Sequence, residues 1–381
     1  MPVATGAYEL ALARALAQIR PAVRALRPYR VEGGLSAPVK LNQNENPFDW
    51  PPFIKERVLE RLRALPWNRY PEEYPRELTA ALARHWGLEP DQVLVGHGSN
   101  ELMYLVLGAV VRPGVRVLLP SPTFALYEKL VRYYEGDPVR VPLRPDGGFD
   151  VEAIRSALRR WSPALLVLVS PNSPTASRLL LSEVRELTEE APGLVLVDEA
   201  YGEFSDQPSA LTLLPERPHV LVLRTFSKAV ALAGVRIGYL VGASALVAEL
   251  YKAKIPFAIS RWDEAIALAA LEHDAWIRQQ LNRLKAERER LRRLLADIKG
   301  VEVWPSWTNF VIFRTPFPAT SVFEALVARG VLVRDVSAYP QMERCLRASV
   351  GAPSENDRLA EALQEVLQAL GFGFSKLETG L

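Results

Sequence analysis

The sequence predicts an α/β fold, with a large domain built on a mostly parallel sheet sandwiched by helices and a smaller α+β domain. From about Val93 onward, short apolar runs alternate with stretches of helical spacing. Runs such as LLVLV and LVLV have no polar alternation, which is typical of strands buried on both faces of a largely parallel sheet. Such a sheet requires right-handed crossovers and helices on both of its faces.

The pattern changes after Ser260. A long helical stretch over 262–298 leads into the short strands VEVW, NFVIFR, VLVRDV and CLRASVG, and helical spacing returns over 321–329 and 354–370. A length of 381 residues suits one large and one small domain. We therefore predict an N-terminal arm over 1–35, a large domain over 36–260 and a small α+β domain over 261–381.

In the large domain, each predicted strand ends in polar residues. The strand-and-helix pairs are QVLVGHGS with NELMYLVLGAVV, VRVLLP with TFALYEKLVRYY, and ALLVLVSP with LSEVRELTEEA, followed by the strands LVLVDEAY and HVLVLRTFS. The polar groups are Gly98-Ser99-Asn100, Asn172-Ser173-Pro174, Asp198 to Tyr201, and Thr225 to Lys228. Because ligands bind beyond the carboxyl ends of the strands in such sheets, we expect these groups to form one site.

Composition and charge argue against several classes of protein. A net charge of +2 with interspersed acids and bases gives no footprint for nucleic acid, and no apolar run reaches the roughly 18 to 20 residues of a membrane span. We interpret the N-terminal GAYELALARALAQIRPAVRAL as an amphipathic arm helix, because it lacks a cleavable apolar core. The single cysteine, Cys345, suits a reducing cytoplasm, and the four scattered histidines have no metal-ligand spacing.

The first strand end, GHGSNE over 96–101, places small residues at a strand-to-helix turn. Backbone N–H groups and the helix dipole at such a turn can hold a phosphate, although glycine-rich turns are also common without one. The spacing matches neither GxGxxG nor GxxxxGK[ST], which disfavours a dinucleotide site and a P-loop.

Asp198 and Lys228 each follow a predicted strand. Asp198 alone could simply cap a helix. An acid, a lysine, a phosphate-binding turn and a hydroxyl-rich loop together fit pyridoxal phosphate (PLP), however. A lysine bonds to the aldehyde of this cofactor, and an aspartate keeps its ring nitrogen protonated so that the ring accepts electrons.

With these motifs the chain resembles the fold-type I PLP-dependent aminotransferases of class II. The resemblance extends from about Arg27 to the C-terminal helix. It rests on the ordered motifs RPYR, LNQNENPF, NRYPEEYP, GHGSNE, PSPTFALY, SPNSPTA, VDEAYGEF, RTFSKAVALAGVRIGY and RCLRASVG. Within the family, the NENP and RTFSKA motifs are most similar to the histidinol-phosphate subgroup. The resemblance implies the PLP-dependent transferase fold type I, PLP as cofactor and a homodimer.

The resemblance also implies roles around the cofactor. Lys228 would bond to PLP and later move the substrate proton, Asp198 would pair with the pyridine nitrogen, and Tyr201 would hydrogen-bond the 3′-oxygen. Tyr70 would reach the cofactor phosphate from the other subunit, which makes the dimer part of the active site. The other residues expected at the phosphate are Ser99, Asn100, Thr225, Ser227 and Arg236.

Two positions depart from the family pattern. Phe124 stands where a tyrosine usually stacks on the pyridine ring, so the stack is kept and a hydroxyl is lost. Ser173 stands where an asparagine usually bonds the 3′-oxygen, because the usual NNPTG is NSPTA here. Serine is shorter but can still donate a hydrogen bond, and Asn172 should point another way unless the turn is remodelled.

For the substrate, the resemblance matches Arg347 with the arginine that meets the α-carboxylate of an amino acid. Histidinol phosphate has a phosphate ester at this end instead, and a second arginine, Arg334, would help to hold the dianion. Arg334 could also be an ordinary surface cation on a strand. Tyr29 would close over the same end, and Asn44 in the NENP turn would line the imidazole end unless it serves the turn alone.

The predicted function is transfer of the amino group from L-histidinol phosphate to 2-oxoglutarate, giving imidazole-acetol phosphate and glutamate in histidine biosynthesis. Two alternatives on the same scaffold are an aromatic amino acid aminotransferase and a PLP-dependent decarboxylase of a phosphorylated amino acid. A third, a PLP-binding regulator, would need an appended DNA-binding module, for which the predicted arm is too short and too uniform in alanine and leucine.

Overall fold

The computed structural model describes residues 5–26 and 37–371. Its strands are β1 (Val39–Lys40), β2 (Val93–His97), β3 (Arg116–Ser121), β4 (Asp137–Pro142), β5 (Leu165–Val169), β6 (Leu194–Asp198), β7 (Val220–Thr225), β8 (Ile237–Val241), β9 (Glu302–Val303), β10 (Phe310–Arg314), β11 (Val331–Leu332), β12 (Arg334–Asp335) and β13 (Cys345–Ser349). Its α-helices are α1 (Thr5–Ala17), α2 (Pro21–Arg24), α3 (Pro52–Arg63), α4 (Arg76–Trp86), α5 (Gly98–Val110), α6 (Ala125–Tyr133), α7 (Val151–Trp161), α8 (Leu181–Glu190), α9 (Ser244–Tyr251), α10 (Arg261–Glu272), α11 (Asp274–Ala296), α12 (Ala319–Val327) and α13 (Pro353–Ala369). No helix in these described ranges has the length and apolarity to cross a membrane.

Seven strands form the main sheet, in the order β2-β8-β7-β6-β5-β3-β4. Neighbours from β7 to β4 run parallel, and β8 alone is antiparallel to both of its neighbours. Strands β5 and β7 are buried along their whole length. This agrees with their uninterrupted apolar sequences, because helices cover both faces of such a sheet.

The two faces of the main sheet have separate cores. Leu166 and Leu168 of β5 pack in one core with side chains of α4, α7, α8 and α10. Leu165 and Val167 of the same strand point the other way and pack with α5, α6 and α9. The predicted sandwich of a mostly parallel sheet between helices is therefore confirmed.

A second, smaller sheet is antiparallel, in the order β12-β13-β10-β9. Helices α11, α12 and α13 pack against it around a core of their own. This confirms the predicted α+β part, although the helical stretch expected over 262–298 is two helices that break at His273, where φ is −111° and ψ is 32°. The domain boundaries at 35/36 and 260/261 stay a prediction.

Residues 39–46, which we call the strap, connect the smaller sheet region to the edge of the main sheet. The first part of the strap, β1, pairs in parallel with β11. Beyond it, Leu41 accepts a 2.8 Å hydrogen bond from the backbone of Ser349, and the N–H of Asn44 donates to the Ser349 hydroxyl at 2.8 Å. These hydrogen bonds fix the course of the strap, which ends beside the carboxyl ends of the main-sheet strands.

A buried ion pair ties the end of β6 to β7. Arg224 of β7 donates to Glu199, which directly follows β6, and forms a second pair with Glu203 at 2.9 Å. Glu199 also accepts from the Ser209 hydroxyl and the Ala210 N–H. The side chains of Arg224 and Glu199 are only 3% and 7% exposed. Removal of either one would therefore leave an uncompensated buried charge. The pair holds Asp198 and Thr225, the last residues of their strands, in fixed relative positions.

Candidate active site

A cavity of about 270 Å³ lies at the carboxyl edge of the main sheet, where the strap crosses it. The predicted site residues that line it are Asn44, Ser99, Asn100, Phe124, Ser173, Asp198, Tyr201, Thr225, Ser227, Lys228, Arg236, Arg334 and Arg347. Five further lining residues were not predicted as site residues: Asn42, Gln43, Met103, Val169 and Ala200. Within the described ranges, no three His, Cys, Asp or Glu side chains are grouped to hold a metal.

One side of the cavity is a cradle of donors between β2 and β8. Gly98 begins α5 with φ +74°, and a Cβ there would lie 2.6 Å from a guanidinium nitrogen of Arg236. A Cβ on Gly238 would lie 2.4 Å from the backbone nitrogen of Ser99. Arg236 itself donates to the Ser227 hydroxyl at 3.1 Å. The glycines thus allow a helix N-terminus and a guanidinium to come close together, an arrangement that suits a phosphate dianion.

Lys228 follows β7 and directs its amine to the strap. Its Nζ donates to the carbonyl oxygens of Gln43 and Asn44, each at 3.0 Å. Removal of the amine from water lowers the pKa of Lys228 to about 7, and the nearby charges of Arg347 and Arg236 also favour the neutral form. A neutral amine is the form that bonds to a carbonyl.

Asp198, at the end of β6, is 3% exposed. Its Oδ2 accepts a 2.7 Å hydrogen bond from the hydroxyl of Tyr127, and its Oδ1 accepts one of 2.9 Å from the Ala200 N–H. Burial raises the pKa of Asp198 to about 6, against the effect of these two bonds. The carboxylate is therefore mostly ionised at neutral pH and can face a protonated ring nitrogen.

Tyr127 was missed by the sequence reasoning. It lies on α6 with no exposed surface, beside Leu130 and Val131 on the buried side of the helix. Burial, followed by the charge of Asp198, raises the pKa of Tyr127, so it stays a neutral donor. The one usable signal is a hydroxyl at a helix position that should be wholly apolar, since a buried tyrosine needs a hydrogen-bond partner.

The loop after β5 directs Ser173, and not Asn172, into the cavity. The amide of Asn172 donates to the Pro122 carbonyl at 2.9 Å and to the Thr175 hydroxyl at 2.8 Å. Ser173 lines the cavity, and its hydroxyl accepts from Arg347 at 3.2 Å. The amide of Asn172 is thus used by Pro122 and Thr175, and Ser173 is the residue that can meet a ligand in the cavity.

Two arginines lie together at the end of the cavity that faces the smaller sheet. Arg334 of β12 and Arg347 of β13 are directly opposed in register across two antiparallel strands. Arg347 also donates to the Asn42 carbonyl of the strap at 3.0 Å, and its guanidinium lies 5.2 Å from the centre of the Phe310 ring. Two neighbouring guanidinium groups suit a substrate group with two negative charges.

Two predicted residues are not among those that line the cavity. Tyr29 lies outside the described residues. Tyr70 is 80% exposed, and its ring lies 5.2 Å from that of Phe257. Its expected contact with the site of another subunit stays a prediction.

Comparison with known proteins gives a consistent result. The model of the family "Aminotransferase class I and II" matches residues 36–363. A histidinol-phosphate aminotransferase of Chlorobaculum tepidum is 46% identical over 348 residues, which cover 91% of this chain and all of the relative. One of Chlorobium phaeovibrioides is 44% identical over 345 residues, 91% of this chain and 96% of the relative.

Among solved structures, histidinol-phosphate aminotransferase from Sinorhizobium meliloti in complex with pyridoxal-5′-phosphate superposes with a TM-score of 0.85. The superposition covers 93% of this chain and 98% of that one, at 28% identity. The predicted fold of the PLP-dependent transferases and the predicted cofactor, PLP, are confirmed.

The cavity fits this cofactor. The cradle, with its two glycines, accepts a phosphate where a Cβ would fill the space. The carboxylate of Asp198 suits the pyridine nitrogen, the amine of Lys228 suits the aldehyde, and the ring of Phe124 lines the same cavity.

We predict that covalent uptake of PLP by the cofactor-free protein speeds up as pH rises and levels off above about pH 7. Below the Lys228 pKa of about 7, the neutral fraction of the amine increases tenfold per pH unit. The measurement is the rate constant of the absorbance change on adding PLP between about pH 5.5 and 9. The lowered pKa of Lys228 places the levelling-off of the rate within this range.

Arg347→Met should move the midpoint of this profile upward, because it removes a positive charge that favours the neutral amine. A rate that still rises tenfold per unit through pH 9 in the unmodified protein would mean that Lys228 behaves as an ordinary exposed lysine.

Proposed function

Because the chain belongs to the class I and II aminotransferase family, we propose that it transfers the amino group of L-histidinol phosphate to 2-oxoglutarate. The products are imidazole-acetol phosphate and glutamate, and the reaction is a step of histidine biosynthesis. The observation that carries the choice of substrate is the pair of opposed arginines, Arg334 and Arg347, in the wall of the cavity. The relatives at 46% and 44% identity, which are histidinol-phosphate aminotransferases, support the same choice.

The chemistry of electron withdrawal is supplied by PLP, whose ring accepts the electron pair released when the substrate Cα–H bond breaks. Lys228 would hold the cofactor through its aldehyde, and the substrate amine would take the place of the lysine there. The strap carbonyls of Gln43 and Asn44 bind the free amine in this structure, and they would keep it near the reacting atoms after its release. With its pKa of about 7, this amine could take the proton from the substrate Cα and return it to the carbon that was the cofactor aldehyde.

The remaining cofactor contacts orient the ring. Asp198 would keep a proton on the pyridine nitrogen, Tyr201 would donate to the 3′-oxygen, and Phe124 would pack on the ring face. The phosphate would be held by backbone and side-chain groups of the cradle, which are Ser99, Asn100, Thr225, Ser227 and Arg236. All of these cofactor-contacting residues line the same cavity, which supports their assignment.

The substrates use the opposite end of the cavity. Arg347 and Arg334 together hold the phosphate ester of histidinol phosphate, whereas the α-carboxylate of glutamate needs only one arginine, Arg347. Asn44 lies toward the imidazole end, and Tyr29 is assigned to cover the substrate from the N-terminal side. The amine of Lys228, which lines the same cavity as these arginines and the cofactor cradle, thus meets either substrate in turn.

We propose that the protein forms a homodimer and that it is located in the cytoplasm. An exposed group of aromatic side chains around Tyr70 supports the dimer, because such patches mark protein–protein contacts. Trp67, Tyr70, Phe257 and Trp262 are 69%, 80%, 44% and 39% exposed. In this arrangement Tyr70 reaches the cofactor phosphate of the neighbouring subunit.

We predict that Arg334→Ala lowers kcat/KM for histidinol phosphate by about one to two decades, which corresponds to a charge-assisted hydrogen bond of about 1.5 to 3 kcal/mol. The half-reaction with glutamate should change far less, because Arg347 alone satisfies its carboxylate. Arg347→Ala should slow both half-reactions. The measurement is kcat/KM for each substrate in each variant.

An equal loss for both substrates in Arg334→Ala would make this arginine a structural residue and would favour an aromatic amino acid aminotransferase. The matched control is Arg314→Ala in the smaller sheet, whose side chain pairs with Glu302 outside the cavity.

We also predict that mixing Tyr70→Ala subunits with Lys228→Ala subunits restores activity, although each variant alone is deficient. A mixed dimer has one site with both Lys228 and a neighbouring Tyr70. Cofactor affinity and turnover of the mixture are measured after exchange of subunits. If no site of wild-type affinity forms, Tyr70 does not act across the dimer.

A further inference from the structure

Asn44 is bonded through every polar group it has. Its backbone adopts φ 55°, in the left-handed region, and the residue is 2% exposed. Its N–H donates to the hydroxyl of Ser349 at 2.8 Å. Its carbonyl accepts from Lys228 at 3.0 Å and from the side-chain amide of Asn309 at 2.9 Å. The strap is therefore held at one point by residues of the smaller sheet region and by the reactive lysine.

The side chain of Asn44 has a defined direction. Its Nδ2 donates to the hydroxyl oxygen of Tyr201 at 2.8 Å. The Ser349 hydroxyl already accepts from the Asn44 backbone, so its own hydrogen points to Asn44 Oδ1, 3.5 Å away. That contact places the oxygen of the amide at Ser349 and its NH₂ group at Tyr201. An amide NH₂ group can only donate, so the Tyr201 oxygen is the acceptor.

Ser173 is a second hydrogen-bond partner of Tyr201, and like Asn44 it stabilises negative charge on the Tyr201 oxygen. Arg347 donates to the hydroxyl oxygen of Ser173 at 3.2 Å, which leaves the hydrogen of that serine free to point elsewhere. Burial raises the pKa of Tyr201, and the charge of Arg347 and hydrogen bonds with Asn44 and Ser173 reduce the rise. Tyr201 remains a neutral phenol that keeps its hydrogen, and that hydrogen is not used by Asn44.

We propose that Asn44 is a positioning residue that sets the direction of the Tyr201 hydroxyl, so that the phenol donates to the 3′-oxygen of bound PLP. Asn44 acts through Tyr201, and it does so from the strap, which the smaller sheet region holds in place. The proposal rests on the cofactor site and is independent of the substrate, so its test contains no substrate.

The expected effect follows from charge. A hydrogen bond to the 3′-oxygen stabilises negative charge on that atom. It therefore lowers the pH at which the proton shared between this oxygen and the Nζ of Lys228 is lost. That loss changes the visible absorbance of the cofactor, and its midpoint reports whether Tyr201 donates.

The test is a pH titration of this absorbance in the purified PLP-bound dimer, for wild type, Asn44→Gly and Asn44→Asp. Glycine adopts the positive φ without strain and removes the amide, so the midpoint should rise by about 0.5 to 1 pH unit. Aspartate tolerates the same backbone and has the same shape, but it accepts where the amide donated. Aspartate also adds a negative charge that stabilises the protonated form, so it should raise the midpoint more than glycine does.

A Tyr201→Phe background separates this role from a direct effect on Lys228. If Asn44 acts through the phenol, Asn44→Gly should shift the midpoint of the Tyr201→Phe protein by less than about 0.2 pH unit. Asn46→Ala is the matched control, because the Asn46 amide donates to the Ala229 carbonyl at 3.5 Å and not to Tyr201. An unchanged midpoint in both Asn44 variants, or a full shift that persists without the Tyr201 hydroxyl, overturns the proposal.

Discussion

The structure depends on one contact, in which the amine of Lys228 is removed from water and held by two carbonyls of the strap. A lysine whose amine is largely removed from water, with two arginines nearby, cannot stay fully protonated at neutral pH, and its pKa falls to about 7. The carbonyls of Gln43 and Asn44 keep the amine in place through uncharged acceptors. The arrangement gives a nucleophile and a proton carrier in one side chain.

This contact also joins the two sheet regions. The strap is bonded to β11 and Ser349 on one side and reaches Lys228 and Tyr201 on the other. The cofactor cradle and Asp198 belong to the main sheet, whereas Arg334 and Arg347 belong to the smaller one. The cavity therefore exists only when both regions are folded and the strap crosses between them.

Much of the fold and the cavity could be predicted from sequence, because buried strands have uninterrupted apolar runs and polar residues collect at their carboxyl ends. The motifs at Ser99, Ser173, Asp198 and Lys228 all meet in one cavity. The bond from Tyr127 to Asp198 could not be predicted, because it joins residues 71 positions apart through the packing of α6 on the sheet. The strap carbonyls also gave no signal, since a backbone oxygen carries no residue identity.

The central claim is tested most directly by one turnover of the purified PLP-bound protein with L-histidinol phosphate alone. We expect about one equivalent of imidazole-acetol phosphate per site, since the amino group stays on the cofactor and blocks a second cycle. Further product should form only after 2-oxoglutarate is added, and Lys228→Ala should form none. No product from histidinol phosphate, together with a full turnover of phenylalanine or tyrosine, would contradict the account.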